Sequence, residues 1–220
     1  MNDIKKRYVK LIIGLFVFAI GNVITINANL GYSPWDVFHQ GIANLINIDI
    51  GTANIIAGLL IVVVGIFKGQ KPGTGTLLNM FLIGVFINLL LKIDIIPVFS
   101  NILLRILSIL LGMLIMAFGI YLYISAGFGA GPRDGLMVML LKATGRSVSF
   151  IKNSIEITVL LVGLLMGGPL GIGTVMTSLG MGYMMQFVFK LFDFDPKAVI
   201  HRDWNDEINA FKGLFGKKIG

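Results

Sequence analysis

Three acidic residues and two basic ones stand where an apolar chain would not place a charge without a reason. Asp36 and Asp134 recur in one setting, Gly31-Tyr32-Ser33-Pro34-Trp35-Asp36 and Gly129-Ala130-Gly131-Pro132-Arg133-Asp134. Glycine permits a tight reversal, and proline suits the first helical position because its missing N–H would find no partner there anyway. Each aspartate then falls in a first helical turn, where a carboxylate accepts free backbone N–H groups and matches the positive helix end. That is a capping role. A second reading has the two helix starts facing each other and lining a polar path, with half-helix N-termini and Arg133 attracting anionic groups. A third simply pairs Arg133 with Asp134 or Asp36.

Glu156 lies inside the apolar run Val148–Met166, one helical turn after Lys152 on the same face. An ionisable side chain at such depth in lipid is costly and marks an interior cavity or proton path by default. The plainer alternative places Glu156 near the headgroups, paired with Lys152. Asn54, Asn79 and Asn88 put amides on other apolar runs, where an interhelical hydrogen bond is their ordinary use. The candidate path is therefore Asp36, Asp134, Arg133, Glu156 and Lys152, with Gly31, Pro34, Gly129 and Pro132 forming the turns.

Enzyme chemistry finds little support. His39 has no second histidine within a helical turn, His201 lies near the C-terminus, and there is no cysteine, so neither a transition-metal site nor any other cofactor is expected. The contexts Ser-Pro-Trp-Asp and Gly-Pro-Arg-Asp are not those of intramembrane aspartyl proteases, whose paired carboxylates share a proton. Gly73–Thr76 lacks the lysine of a phosphate-binding loop. The chain reads as a non-enzyme.

The elements that carry these residues are set by composition. Hydrophobic residues make up 56% of 220 and charged ones 13%, where soluble domains run near 25% charged. A globule of this size could not hide so much apolar surface, so lipid must be the solvent for most of it. Six apolar runs stand out: Val9–Asn27, Thr52–Phe67, Thr76–Leu91, Ile102–Ile124, Val148–Met166 and Thr174–Phe189. Most approach the roughly 20 residues that cross a bilayer. Pro34–Asn47 and Pro132–Thr144 are too short to span and read as helices that dip into the membrane or lie along it. Leu136–Leu141 is apolar all round, which suits burial on every side. The expected fold is an all-α polytopic bundle of six long spans and two short membrane-embedded helices.

The net charge of +7 is not a nucleic-acid stripe, because the basic residues cluster at the ends of apolar runs. Residues 193–220 differ in kind: Trp204, Ile208, Phe211 and Phe215 share one helical face, which suits an amphipathic helix on the inner leaflet.

A shift of 98 residues superposes the chain on itself without a gap. It takes Gly14 to Gly112, Gly21 to Gly119, Pro34 to Pro132, Asp36 to Asp134 and Gly73-Thr74-Gly75-Thr76 to Gly171-Ile172-Gly173-Thr174. Over positions 14 to 88 there are 15 identities, eight of them glycine. The expected organisation is two repeats, 1–97 and 98–192, followed by the tail. Repeats of this kind are a common way to build transport proteins.

The same residues carry a family likeness. Gly31-Tyr32-Ser33-Pro34-Trp35-Asp36 after a first span resembles the G-x-G-P-W-D motif of the YczE branch of the YczE/YyaS/YitT-type bacterial integral membrane proteins. Ile50-Gly51-Thr52 and Gly129–Asp134 are similar to that family too, and the likeness extends over roughly residues 8 to 192. Ser33 departs from it, standing where the motif has its second glycine. The resemblance implies an integral protein of the bacterial cytoplasmic membrane and brings no catalytic residues.

Two layouts fit this pattern. Three spans per repeat make an inverted pair, with 16 of the 18 Lys and Arg on the cytoplasmic side. Four passes per repeat make parallel repeats and a split of 15 to three. The apolar Leu136–Leu141 and the recurrence of Arg7 as Arg105 favour the parallel layout, and both layouts leave the N- and C-termini cytoplasmic. As function, the residues point to a small-solute transporter or channel with its site at the repeat interface. The alternative is a non-transporting accessory or assembly factor for another envelope system. The partners expected are the lipid bilayer and a small solute, not nucleic acid, with a homo-oligomer or a protein partner left open.

Overall fold

The computed structural model describes residues 2–70, 72–129 and 131–199, and the amphipathic tail expected at 204–218 lies outside them. The described residues form eight α-helices and a closing 3-10 turn: α1 Asn2–Asn27, α2 Pro34–Ile46, α3 Ile50–Phe67, α4 Thr74–Ile93, α5 Ile102–Ser125, α6 Pro132–Thr144, α7 Val148–Leu165 and α8 Ile172–Leu191. Helices α2 and α6 start at the two motif prolines. Where six long spans were expected, five helices, α1, α3, α4, α5 and α8, are long and apolar enough to cross a membrane. Helix α7 has 18 residues but carries Lys152, Asn153, Ser154 and Glu156 in its first half, which lowers its hydropathy.

The bundle is turned outward as a lipid-facing protein must be. Leu60, Phe67, Leu111, Leu161, Leu165 and Leu179 are exposed, while Asn22, Thr25, Asp36, His39 and Thr174 are buried. Lipid solvates apolar side chains as well as any core does, so the interior is free to hold small and polar groups.

Helices α1 and α5 cross at the centre on glycine. A Cβ on Gly21 would stand 2.6 Å from the Gly112 carbonyl oxygen, and one on Gly14 would stand 3.0 Å from that of Gly119. Residue numbers rise along one helix as they fall along the other, so α1 and α5 are antiparallel. The arginines at their ends say the same. Arg7 Nε donates to the Ala126 carbonyl over 2.9 Å, and Arg105 Nε donates to the Ala28 carbonyl over 2.6 Å. A second nitrogen of Arg105 donates to the Asn29 carbonyl. Each arginine satisfies carbonyls left free where the opposite helix ends. This corrects the parallel layout. Arg7 recurs as Arg105 because each caps an antiparallel neighbour, and no shared membrane side is needed.

The other ground for the parallel layout also fails. Helix α6 is not buried on every side: between Gly135 and Leu141 no residue is fully buried, and Val138 is exposed. Its apolar residues are half-buried or exposed rather than enclosed, and Met137 lines a cavity. Helix α2 is the reverse of an interfacial helix, with Asp36 and His39 buried while Leu45 and Ile46 are exposed.

The two glycine motifs find each other across the halves. Gly31 and Gly129 both take the left-handed backbone that favours glycine, at φ 96° and 110°. Leu30 O accepts from Gly173 N at 2.6 Å, and Phe128 O accepts from Gly75 N at 2.7 Å. Each G-x-x-P-x-D turn is thus clasped by the G-x-G-T turn of the other half, against Thr174 in one case and Thr76 in the other. A Cβ on either glycine would strike that clasp.

Candidate functional site

A cavity of about 460 Å³ opens between the two clasps, reached by Trp35 and His39 of α2, Asn54 of α3, Tyr123 of α5, and Arg133, Asp134, Lys152 and Glu156 of α6 and α7. Of the five candidate path residues, four line it and Asp36 does not. Its apolar wall holds five methionines, Met80, Met116, Met137, Met181 and Met185, whose unbranched side chains adapt to irregular shapes.

Asp36 is held just behind the wall. Its Oδ2 accepts from Asn22 Nδ2 at 2.8 Å and from Ser33 Oγ at 2.5 Å, and Oδ1 lies 3.7 Å from His39 Nδ1. The backbone cap of α2 comes instead from Ser33, whose Oγ accepts from the Asp36 N–H at 3.4 Å. The expectation that the aspartate caps the helix by its carboxylate is therefore replaced. Serine caps, and the carboxylate ties α2 to α1. Here the family departure at Ser33 acquires a purpose.

The second copy of the motif lacks those partners. Positions 98 further on replace Asn22, Ser33 and His39 by Ile120, Gly131 and Met137, none of which donates a side-chain hydrogen bond. Gly131 caps α6 without a side chain. Asp134 is exposed into the cavity opening. Two aspartates alike in sequence are thus unlike in surroundings.

Arg133 and Trp35 hold the same position in the two motifs, and they meet. The guanidinium carbon lies 4.6 Å from the Trp35 ring centroid, and Nη2 donates to Asn54 Oδ1 over 3.3 Å. The two helix starts do face one another. The simple pairing of Arg133 with an aspartate is not what forms: among the described residues the only ion pair is His39 with Asp36. Arg133 instead lies within electrostatic reach of Asp36, Asp134 and Glu156 together. Glu156 and Lys152, one helical turn apart, form no ion pair either.

Gly58 lies 98 residues before Glu156, and the side chain it lacks does not leave open space. The structure fills it: a Cβ there would be 2.7 Å from Met80 Cγ. Asn88 does serve as an interhelical bond, accepting from Gly51 N at 2.8 Å and donating to Thr52 Oγ1 at 3.0 Å. Asn54 reaches Met80 O at 3.4 Å as well as Arg133. Sequence reasoning left His39 and Trp35 out of the site. The signal available was their spacing from Asp36, three residues and one, within a helix whose first turn carries the motif.

The two halves also differ in packing. Helices α3 and α4 close on Gly51 and Gly84, where a Cβ on Gly84 would lie 3.0 Å from Ile55 Cδ1. Helices α7 and α8 make no comparable contact among the described residues. Gly182, which matches Gly84 by the 98-residue shift, has nothing within 4 Å of its would-be Cβ and lines the cavity.

Comparison with known proteins places the chain. Residues 5–190 match DUF6198, a family of unknown function. The chain is 39% identical to the uncharacterized membrane protein YczE of Bacillus subtilis, over 79% of this chain and 81% of that one. It is 35% identical to an uncharacterized protein of Haemophilus influenzae over 82% of each, and 25% identical to YyaS of Bacillus subtilis over 83% of this chain and 92% of that one. No solved structure matches. With a helical bundle dressed for lipid, the G-x-x-P-W-D turn and this coverage, the chain is an integral membrane protein that belongs to the DUF6198 family, alongside YczE.

Proposed function

We propose that this protein is a small-solute transporter of the bacterial cell membrane, built from an inverted pair of repeats, with its site in the cavity between the two motif turns. The observation that carries the reading is the cavity itself: Arg133, Asp134, Lys152 and Glu156 share one space inside a lipid-facing bundle. Charges are kept in such a place at a cost, and function is the usual reason.

The unequal packing supports movement as well as binding. In an inverted pair, a closed α3–α4 and an open α7–α8 describe one side of a cycle, and exchanging the two describes the other. The glycine crossing of α1 and α5 and the two clasps would serve as the frame about which the exchange occurs. In this reading both termini are cytoplasmic, as the concentration of Lys and Arg near the two ends implies.

The absence of cysteine makes the first test clean. Glu156→Cys in otherwise unaltered protein should react with a membrane-impermeant thiol reagent from one face of the membrane. A cavity that is dry from both faces would leave that thiol unlabelled and would remove the transport reading. The non-transporting accessory would then be favoured, with the buried charges serving helix packing alone.

A further inference from the structure

Resting on the transport reading, we infer that the solute is a small zwitterion with an apolar body, carrying its carboxylate on Arg133 and its ammonium group on Glu156. Arg133 is the anchor. Its guanidinium is fixed in place by the Trp35 ring and by Asn54, and neither partner neutralises it. A planar fork held by one face and one edge keeps other N–H groups for a carboxylate, which it binds by two parallel hydrogen bonds.

Glu156 supplies the opposite pole. It projects from α7 into the same cavity, half-buried, with neither a hydrogen bond nor an ion pair among the described residues. Lys152 and Asp134 also line the space, so the fixed charges there are two of each sign. A ligand with net charge would unbalance that set in a low-dielectric interior, whereas one with both signs and no net charge leaves it neutral. The unpaired state of Arg133 and Glu156 is what such a ligand would complete.

The remaining wall selects the body of the solute. The five methionines and Ile61, Ile83 and Ile120 give the cavity a predominantly apolar lining. Methionine adapts to several shapes, which predicts tolerance among apolar side chains and discrimination against polar ones. The chemical class is therefore an amino acid with an apolar side chain.

The test is equilibrium dialysis of the detergent-purified full chain with leucine, methionine and phenylalanine. Each is measured beside its deaminated acid and its decarboxylated amine. Each zwitterion should bind at least about tenfold more tightly than either relative, as expected for loss of one buried charged hydrogen-bond pair. Arg133→Gln should reduce the zwitterion to the affinity of its amine, and Glu156→Gln should reduce it to that of its acid. If Arg133→Gln does not accumulate, Arg133→Lys serves, and a loss confined to ligands bearing a carboxylate supports the assignment. An acid or amine that binds as well as its zwitterion overturns it. So does failure of all nine compounds in protein whose Glu156→Cys variant is labelled from water, an outcome that leaves transport standing. An unlabelled thiol removes transport itself.

Discussion

Asp36 and Asp134 should respond oppositely to the same substitution. Asp36→Ala removes the acceptor of two charge-assisted hydrogen bonds, at 2.8 Å from Asn22 and 2.5 Å from Ser33. Bonds of this class contribute about 1.5–3 kcal/mol each, and an orphaned buried donor costs about 1–3 kcal/mol more. Ser33 already caps α2 and is only partly buried, so its hydroxyl can redirect its proton and recover part of that. Asn22 cannot, since it is 2% exposed and its Oδ1 already lacks a partner. The expected loss is about 3–5 kcal/mol, or at least a hundredfold in the folded population. Asp134 is exposed where Asp36 is buried, so Asp134→Ala should cost less than Asp36→Ala. The assay is denaturant unfolding in mixed micelles, read beside membrane abundance and uptake. Asp36→Ala should fall in stability and abundance, whereas Asp134→Ala should keep both and lose uptake. Equal losses of stability, or an Asp36→Ala protein as stable as the parent, would refute the division of labour.

Other perturbations probe the frame and its motion. Gly21→Val should destabilise by about 3 kcal/mol or prevent accumulation, because its side chain would meet the Gly112 carbonyl and the backbone of Met116; thermal unfolding in detergent measures this. Arg105→Ala should lower the melting temperature by exposing the Ala28 and Asn29 carbonyls, at about 1–3 kcal/mol. Arg105→Lys should recover only part of it. Cysteines at Ile55 and Gly84 should cross-link readily. Cysteines at Asn153 and Gly182, the matching pair, should do so only when solute drives the opposite closure, and equal cross-linking of both pairs in the absence of solute would count against an exchange of states.

What could be read from the chain alone follows from which interactions leave a local trace. The helices did, because lipid demands long apolar runs and the two motif prolines fix where α2 and α6 begin. Glu156 and Arg133 were legible as misplaced charges for the same reason. The orientation of the halves was not. Arg7 and Arg105 read as two basic residues before two spans, and only their carbonyl partners at Ala126 and Ala28 reveal an antiparallel pair. Leu136–Leu141 misled in a related way, since apolarity does not distinguish burial in protein from exposure to lipid. His39 escaped because its partner, Asp36, had already been assigned to the backbone. The mutual clasp of the two glycine motifs has no signature in either motif by itself.

On the transport reading, a carrier built on two copies of one motif needs some of their groups to differ. Were both aspartates held as Asp36 is, the cavity lining would lose an acid and keep Arg133 and Lys152 against Glu156 alone. Were both exposed as Asp134 is, α2 would lose its tie to α1 beside the cavity. Replacing Asn22, Ser33 and His39 by Ile120, Gly131 and Met137 exchanges the partners of the buried Asp36 for groups that donate no side-chain hydrogen bond, and Asp134 is exposed at the cavity. Replacing Trp35 by Arg133 at the matching position puts a cation on an aromatic face across the cavity, a pairing that identical halves could not make. The half with the buried aspartate has its hairpin closed on Gly84, and the half with the exposed one has its hairpin open at Gly182. Introducing the matching donor should therefore transfer the property: Gly131→Ser should offer Asp134 the hydroxyl that Ser33 offers Asp36. The variant is expected to raise stability slightly and slow uptake. A Gly131→Ser protein that transports at the parental rate would mean that the difference between Gly131 and Ser33 is incidental.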